Sequence, residues 1–376
     1  MTFVRLCNTV TPHEMNTQAS LPAIQTNEPL SHHTTIGLGG PARHFAVCKN
    51  LEQIREYLRF AEVNRLPVQI LGGGSNIIFP DEGYSGLVLK IALRGVKLHE
   101  NGGLVEVSAA AGEHWDQFVE FCIENHLAGV ECLSGIPGFV GATPIQNVGA
   151  YGQEISSTLV SLKALHRETS KLVEFSGEEC GFAYRRSRFK SDDADKYIIT
   201  EVTFRLRKYG RPECRYSELS TYIESHVDLA TLKSGQPALE AVRQAVLVLR
   251  KWKSMVIDLA DPNSRSVGSF FVNPVLAHDE YRHLAERCKL GGITDSIPTF
   301  PAGTNVKIPA AWLVEKSGFY RGYRRGGVGI SPNHALALVN YDGSTREILD
   351  LAEDVQAKVF EKFRIHLVRE PVVVSP

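Results

Sequence analysis

The sequence predicts an α+β fold, and three observations support this fold class. Strand-like and helix-like segments are mixed, without the strict alternation that builds a doubly wound parallel sheet. Strand-like runs dominate the first 207 residues, whereas amphipathic helices become frequent beyond the break KYGRP at 208–212. The chain has 376 residues, of which 43% are hydrophobic, so it can bury cores for two or three compact units.

The first half is predicted to be strands around two helices. RHFAVC at 43–48 reads as a strand, and 51–66 reads as a helix because Leu51, Ile54, Leu58 and Ala61 recur at helical spacing. Further elements are predicted as strands at 67–71, 86–92, 96–100 and 104–111, a helix at 113–127, and three strands between 159 and 207. Between them, the glycine- and proline-rich segment 132–153 contains hardly a charge, which predicts a buried loop system.

The second half is predicted to be richer in helices. The segment 237–252 places Leu239, Val242, Val246 and Leu249 on one face and ends in Arg250, Lys251 and Lys253. Other helices are predicted at 277–288, 309–317 and 343–363. Residues 1–30 are polar and aperiodic, so we expect a flexible N-terminal arm, with Met15 as an alternative start.

Composition excludes several classes of function. Lys and Arg number 41 against 42 Asp and Glu, so no global field is available to bind nucleic acid or an anionic membrane. The seven cysteines show no CxxC spacing, which argues against a disulfide framework or a zinc site and favours a reducing cytoplasm. No stretch approaches the roughly 18 uncharged apolar residues of a membrane span. We therefore expect a cytoplasmic protein without a metal site.

The stretch ILGGGSNIIF at 70–79 is the first candidate site. After a strand, Gly72, Gly73 and Gly74 can turn successive N–H groups toward one anion, and Ser75 and Asn76 add side-chain donors. A tight turn explains the same residues equally well. A Walker loop would need a following lysine, and a dinucleotide fingerprint would open a helix, whereas IIF reads as extended.

Six segments in order resemble the UDP-N-acetylenolpyruvoylglucosamine reductase (MurB) family, over about residues 31–373. They are LGGGSNIIF, SGIPGFVGATPIQNVGAYGQEI, YRRSRFK, VGSFFVNP, PAAWLVEKSGF and KFRIHLVREP. The resemblance implies a two-part FAD-binding domain of the vanillyl-alcohol-oxidase (PCMH) type plus an α+β C-terminal substrate-binding domain. The implied bounds are 31–209 for the first, with subdomains of about 31–97 and 98–209, and 213–376 for the second, whose last strand returns to the active site.

The resemblance also implies an activity. The family reduces UDP-N-acetylglucosamine enolpyruvate to UDP-N-acetylmuramate with NADPH, through a noncovalent FAD, in peptidoglycan precursor biosynthesis. Hydride addition to the β-carbon places negative charge on the α-carbon beside a carboxylate, so the site must supply cationic or donating groups and a proton. The implied partner is a small nucleotide-sugar, and we expect a monomer.

Three catalytic residues are implied by the resemblance. Arg185 would hold the enolpyruvyl carboxylate through parallel N–H bonds, and Ser269 would protonate the α-carbon. Glu370 would have to be protonated or hydrogen-bonded so that it donates, because a bare carboxylate would repel the intermediate. Without the resemblance, a solvated basic edge, a turn serine and a solvent-facing terminal glutamate are the more ordinary interpretations.

Ligand contacts are implied in the same way. FAD would be bound by Gly72, Gly73, Gly74, Ser75, Asn76, Ile136, Pro137, Gly138, Gly141, Ile145, Gln146, Asn147, Gly149 and Ala150. The substrate would be bound by Tyr151, Tyr216, Lys253 and Asn273, with Tyr216 on the covering loop that marks one subtype of the family.

Two other functions remain open at this stage. One is an FAD-dependent oxidase of the same cofactor fold acting on another substrate. Many such oxidases attach FAD through a histidine in a glycine-rich loop, and residues 72–76 contain none. The other is a nucleotide-binding module without catalysis, which loss of Arg185, Ser269 or Glu370 would support, and all three residues are present.

Overall fold

The computed structural model describes residues 23–228 and 233–375. Its first unit is a four-stranded sheet in the order β1-β2-β5-β3, in which β5 pairs in parallel with both β2 and β3. The elements of this unit are β1 (Gln25–Pro29), β2 (Pro41–Cys48), α1 (Leu51–Val63), β3 (Val68–Leu71), β4 (Ile77–Ile78) and β5 (Tyr84–Ile91). Helix α1 covers one face because Ile54, Tyr57, Leu58 and Ala61 are buried in the same core as Leu87 and Leu89.

The second unit is a six-stranded antiparallel sheet. Its order is β12-β11-β13-β7-β6, and β8 pairs with the end of β13. The elements are β6 (Val96–Asn101), β7 (Leu104–Ala110), α2 (Trp115–Glu124), β8 (Leu127–Ala128), β9 (Gly149–Ala150), β10 (Gln153–Glu154), β11 (Leu159–His166), β12 (Leu172–Ser176) and β13 (Tyr197–Lys208). Trp115 and Phe118 of α2 pack against Phe204 of β13, and this aromatic group is the centre of the second core.

The third unit contains a four-stranded and a three-stranded sheet, ordered β14-β20-β19-β18 and β15-β17-β16. Its elements are β14 (Ser266–Ser269), β15 (Val275–Leu276), α5 (His278–Leu290), β16 (Phe300–Ala302), β17 (Asn305–Lys307), α6 (Ala310–Lys316), β18 (Arg324–Arg325), β19 (Val328–Ile330), β20 (Ala337–Asn340) and α7 (Thr345–Phe363). Helix α7 begins at a capping box in which Ser344 and Glu347 satisfy each other's backbone N–H groups. Its buried face, including Leu351 and Val355, packs in the core of this unit.

Two helices join the second and third units. These are α3 (Ser217–His226) and α4 (Gln236–Trp252). The apolar face predicted for α4 is buried, and it packs with Cys132, Leu219 and Ile223, while Leu239 joins the core of the second sheet. Helices α3 and α4 share their core with Cys132 of the second unit, and the core of the third unit includes Val267 of β14. The C-terminal unit starting at 213 stays a prediction.

The helices and strands predicted from sequence periodicity are confirmed, with shifts of a few residues at their ends. Helix α3 was not predicted. The flexible arm predicted over 1–30 is wrong for its last part, since β1 pairs with β2 and Leu30 is fully buried. Residues 1–22 lie outside the described part of the chain.

The C-terminal tail crosses back to the first unit. Strand β21 (Val372–Val373) pairs in parallel with β4, directly after the glycine loop. The N–H of Glu370 donates to the carbonyl of Phe270, 2.9 Å away, beside the end of β14. The tail therefore places Glu370 between the glycine loop and β14.

Candidate active site

All three units line one cavity of about 540 Å³. The first unit contributes the end of β3 and the glycine loop, and the second contributes segment 136–149 and the start of β13. The third contributes the tail and β14. Predicted site residues that line the cavity are Gly72, Gly73, Gly74, Ser75, Asn76, Ile136, Pro137, Gly138, Gly141, Ile145, Gln146, Gly149, Arg185, Ser269 and Glu370.

The glycine loop is shaped by close backbone contacts. A Cβ on Gly74 would lie 1.8 Å from the carbonyl oxygen of His33, and this glycine has φ +70°. A Cβ on Gly73 would lie 2.7 Å from the Cα of Gly138. The backbone N–H groups of Gly73, Gly74 and Ser75 have no hydrogen-bond acceptor among the described residues. The loop therefore offers several free donors, and Gly73 and Gly74 have no room for a side chain.

The segment 136–149 closes on the glycine loop from the other side. Ser75 Oγ donates to the carbonyl of Pro137 at 3.1 Å, which joins the two loops directly. Gly141 approaches Ala111 so closely that a Cβ there would lie 2.4 Å from the Cβ of Ala111. Glycine is therefore needed at Gly73 and at Gly141, because a side chain at either position would push the facing residue away.

Arg185 occupies a strained turn. Ala183 and Arg186 exchange both backbone hydrogen bonds, and Arg185 between them has φ +54°. A residue with a side chain in the left-handed region costs about 1–2 kcal/mol, and such positions concentrate at functional sites. The turn directs the guanidinium to Glu370, with Nε 3.1 Å from Oε1, and Nη2 donates to the carbonyl of Gly149.

The Arg185–Glu370 ion pair is incomplete as a hydrogen bond. Although Nε lies 3.1 Å from the carboxylate oxygen, its N–H does not point at it, and this buried nitrogen has no hydrogen-bond partner. Burial is the main influence on Glu370 and raises the pKa of its carboxyl, while Arg185 and Lys190 oppose the shift. A proton is therefore held more tightly on Glu370 than on an exposed glutamate.

A network of side chains fixes Glu370 at the glycine loop. Gln146 Nε2 donates to Glu370 Oε1 at 3.2 Å, and Asn76 Nδ2 donates to Gln146 Oε1 at 2.9 Å. Lys190 Nζ donates to the carbonyl of Glu370 at 3.1 Å and to Gln146 Oε1 at 3.3 Å. Burial lowers the pKa of Lys190. The cofactor candidates Asn76 and Gln146 therefore also position a catalytic candidate.

Ser269 is the last residue of β14. Its hydroxyl has no protein hydrogen-bond partner in the part of the chain that the structure describes. The preceding Gly268 has φ +76°, and a Cβ there would meet nothing within 4 Å. The serine therefore stands at an open position of the cavity wall, where its O–H can turn to a ligand.

Three substrate candidates form a separate group. The rings of Tyr151 and Tyr216 meet edge to face with centroids 5.6 Å apart, and Lys253 Nζ lies 5.6 Å from the centroid of Tyr151. Lys253 also pairs with Glu218 at the start of α3. Burial raises the pKa of Tyr151 to about 12, so its hydroxyl stays protonated. These residues are brought together, but they do not line the cavity.

The remaining candidates have structural partners. Asn273 donates to the hydroxyl of Tyr184 at 3.3 Å and accepts from the N–H of Ala310. It lines a neighbouring groove that shares Arg185 with the cavity. Asn147 is buried and donates to Glu154 and to the carbonyl of Ala183, so it supports the Arg185 turn. Asn147 and Ala150 do not line the cavity.

Sequence reasoning missed several lining residues. Lys190 stands in the quoted segment YRRSRFK, was not among the predicted site residues, and lines the cavity. Arg250 was assigned to the charged end of a helix, although it also lines the cavity. Thr35 bridges the units, since its N–H donates to the carbonyl of Gly74 and its Oγ to that of Ser266. No local pattern distinguished these residues from solvated ones.

Three further properties concern the described ranges. Within the described ranges, no group of three or more histidine, cysteine or acidic side chains could hold a metal ion. The six cysteines in these ranges are free. None of the helices there is both long and apolar enough to cross a membrane.

Two protein-family models match the chain. Residues 42–176 match the FAD binding domain model, and residues 261–374 match the model of the UDP-N-acetylenolpyruvoylglucosamine reductase C-terminal domain. The UDP-N-acetylenolpyruvoylglucosamine reductase of Thermobifida fusca is 44% identical over 355 residues, which cover 93% of this chain and 97% of the relative. The chain belongs to the UDP-N-acetylenolpyruvoylglucosamine reductase family.

More distant members agree with this membership. The reductase of Flavobacterium johnsoniae is 37% identical, with 93% of this chain and 99% of the relative covered. The crystal structure of the reductase (MurB) from Thermus caldophilus matches with a TM-score of 0.61 and 22% identity, over 92% of this chain and 97% of that one. The predicted α+β fold with an FAD-binding domain is confirmed.

Proposed function

We propose that this family member catalyses the NADPH-dependent reduction of UDP-N-acetylglucosamine enolpyruvate to UDP-N-acetylmuramate, using FAD, in cytoplasmic peptidoglycan precursor synthesis. The observation that carries the proposal is the convergence of Arg185, Glu370 and Ser269 on the cavity that the glycine loop also lines. An anion-binding loop and a set of proton donors and cations in one cavity suit a cofactor and an anionic substrate together.

The chain's residues fit FAD. A diphosphate would find free N–H groups at Gly73, Gly74 and Ser75. Segment 136–149, nearly without charge, would cover the ring system of the cofactor. When bound, FAD supplies hydride transfer from NADPH to the β-carbon of the enolpyruvyl group.

Arg185 binds and orients the enolpyruvyl carboxylate in this proposal. Its strained turn fixes the guanidinium at the cavity wall, beside Glu370. Because guanidinium stays protonated, it offsets the charge that builds up on the substrate without losing its own proton.

Ser269 and Glu370 supply donors to the same intermediate. The Ser269 O–H faces the cavity without a protein partner, so it can reach the α-carbon as proton donor. Glu370, whose pKa burial raises, carries a proton more readily and can then donate to the carboxylate or to the developing carbanion. The network through Gln146 and Lys190 keeps it in place.

We assign the nucleotide part of the substrate to the group formed by Tyr151, Tyr216 and Lys253. Lys253 would contact the diphosphate, and Tyr216, which rests on Tyr151 and is 39% exposed, would cover it. This assignment makes the protein a member of the subtype with a covering tyrosine. Asn273 would act from the neighbouring groove, next to Tyr184.

The two half-reactions test the proposal separately. The purified protein should be yellow, bleach with NADPH and recover its colour when the enolpyruvyl substrate is added. Ser269→Ala should bleach at nearly the parent rate, since it leaves the first step intact, and should recover at least 100-fold more slowly, a typical loss for a proton donor. Ser225→Ala, on the exposed face of α3, is the control. Equal slowing of both steps in Ser269→Ala would contradict the assignment.

A further inference from the structure

Gln146 lies between the glycine loop and the C-terminal tail, and its side-chain amide has one workable direction. Its Oε1 receives two donors, Asn76 Nδ2 at 2.9 Å and Lys190 Nζ at 3.3 Å. An ammonium group can only donate, so the atom of Gln146 that faces Lys190 has to be the oxygen. A reversed amide would set its NH₂ group against two other donors. The NH₂ group of Gln146 is therefore left for Glu370.

Asn76 is fixed in the same way by the main chain. Its Nδ2 also lies 3.4 Å from the backbone carbonyl of Glu370, and a carbonyl can only accept. Lys190 Nζ donates to that carbonyl as well, at 3.1 Å. The directions of both amides therefore follow from a lysine and a peptide carbonyl, whose roles as donor and acceptor never change.

The two carboxyl oxygens of Glu370 consequently differ. Gln146 Nε2 donates to Oε1 at 3.2 Å, and the cationic side chain of Arg185 lies beside the same oxygen, with Nε 3.1 Å away. Oε2 has no hydrogen-bond partner among the described residues, yet it is not one of the enclosed atoms that lack a partner. Because Glu370 lines the cavity and not the neighbouring groove, Oε2 is the oxygen that is open to the cavity.

A proton on Glu370 has two possible positions. On Oε1 it would compete with the N–H of Gln146 and lie beside the guanidinium of Arg185, whereas on Oε2 it meets neither group. Burial raises the pKa of the Glu370 carboxyl and so favours the protonated form. Protonated Glu370 therefore presents its O–H to the cavity and keeps Oε1 as an acceptor.

We propose that Lys190 is a positioning residue that, together with Asn76, fixes the Gln146 amide. The fixed amide places the proton of Glu370 on Oε2, where the O–H donates to an anionic oxygen of the substrate. This inference rests on the proposed function and deepens it. The O–H donates a hydrogen bond and keeps its proton, so the α-carbon receives its proton from Ser269. Lys190 acts only through Gln146 and the backbone of Glu370.

The infrared band of the protonated Glu370 carboxyl tests the position of the proton without turnover. It is isolated in the purified protein as the difference between the parent and Glu370→Gln, recorded over about pH 4 to 8, where exposed carboxyls become ionised. Because Oε1 accepts from Gln146, Gln146→Leu should move the C=O stretch to higher frequency. Lys190→Met should add a second band, from molecules in which the amide has turned over. Lys190→Arg, which keeps charged donors, should show the single band of the parent.

The second half-reaction gives a functional readout. At saturating enolpyruvyl substrate, Lys190→Met should recover its colour at least about tenfold more slowly, because a displaced donor no longer meets its acceptor, while KM changes little. In the parent, the rate of recovery should fall with rising pH in step with the Glu370 band, since a carboxylate cannot donate. Ionisable side chains that face Glu370 in the described ranges are Arg185, Lys190 and Tyr184, and burial raises the pKa of Tyr184 above its ordinary value.

Lys196→Met is the matched control, because this lysine follows six residues later and its Nζ donates to Asp193 at the surface. It should leave the band and the rate of recovery as in the parent. Gln146→Leu serves alone if the Lys190 variant fails to fold.

Three results would overturn the inference. One is a Gln146→Leu band at the frequency of the parent, and another is a Lys190→Met variant with the band and rate of the parent. The third is a rate of recovery that increases as the Glu370 band disappears. A parent protein that does not bleach with NADPH would instead refute the proposed function, while the band would still decide which oxygen carries the proton.

Discussion

The three consecutive glycines of the 72–76 loop should respond very differently to alanine. A Cβ on Gly72 would meet only the Cβ of Ala142 at 3.7 Å, which is ordinary contact. A Cβ on Gly73 would lie 2.7 Å from backbone of Gly138. A Cβ on Gly74 would lie 1.8 Å from the His33 carbonyl, and only Gly74 of the three has a left-handed φ. The free energy of unfolding should therefore decrease from Gly72→Ala to Gly73→Ala and again to Gly74→Ala.

The magnitudes follow from these contacts. Gly72→Ala should be neutral or stabilise the apo-protein by up to about 1 kcal/mol, because alanine restricts the unfolded chain. Gly73→Ala should cost about 1–3 kcal/mol, since two backbone segments must move apart. Gly74→Ala adds the left-handed strain to a more severe clash and should cost about 2–5 kcal/mol.

Urea unfolding of the apo-protein, followed by tryptophan fluorescence, measures this order without the cofactor. Gly72→Ala is the matched control, because it differs from the others only in position along one loop. FAD titration of the same variants should show weaker binding for Gly73→Ala, whose shifted loops no longer present their N–H groups together. If Gly74→Ala proved as stable as Gly72→Ala, the close-packed loop described here would be refuted.

Three further predictions concern ionisable groups and are measured by urea unfolding against pH. Burial raises the pKa of Glu370, so the parent protein should lose stability as pH rises above about 4.5. Glu370→Gln should remove that loss, and a pH profile of the variant parallel to that of the parent would contradict the prediction. Burial lowers the pKa of His334 to about 4, so the free energy of unfolding should fall by about 3 kcal/mol as the pH is lowered from 6.5 to 4. His334→Gln should flatten this slope. Asp116→Asn should cost about 1–3 kcal/mol, because it leaves buried Arg243 only the half-exposed carboxylate of Glu120 at 3.7 Å. Glu120→Gln should cost under about 1 kcal/mol.

The structure also explains why the site was predicted unevenly. The glycine loop and segment 136–149 were recognisable because their composition is unusual within a few residues of sequence. Lys190 and Arg250 look in the sequence like ordinary basic residues at exposed positions, and their burial follows from contacts with the distant tail and with Gly135. For Asn147, which the resemblance implies as an FAD contact, the structure adds that its amide supports the Arg185 turn.

The sequence by itself determined the local elements and the loops that line the cavity. Periodicity predicts α1, α4 and α7 because burial of one helix face depends on residues three or four apart, and glycine spacing predicts the anion cradle for the same local reason. Only the tertiary structure decided which residues meet in the cavity. Asn76, Gln146 and Glu370 come together because β21 pairs with β4, a contact between residues almost 300 positions apart. Such a pairing depends on how three cores pack, and no short stretch of sequence contains that information.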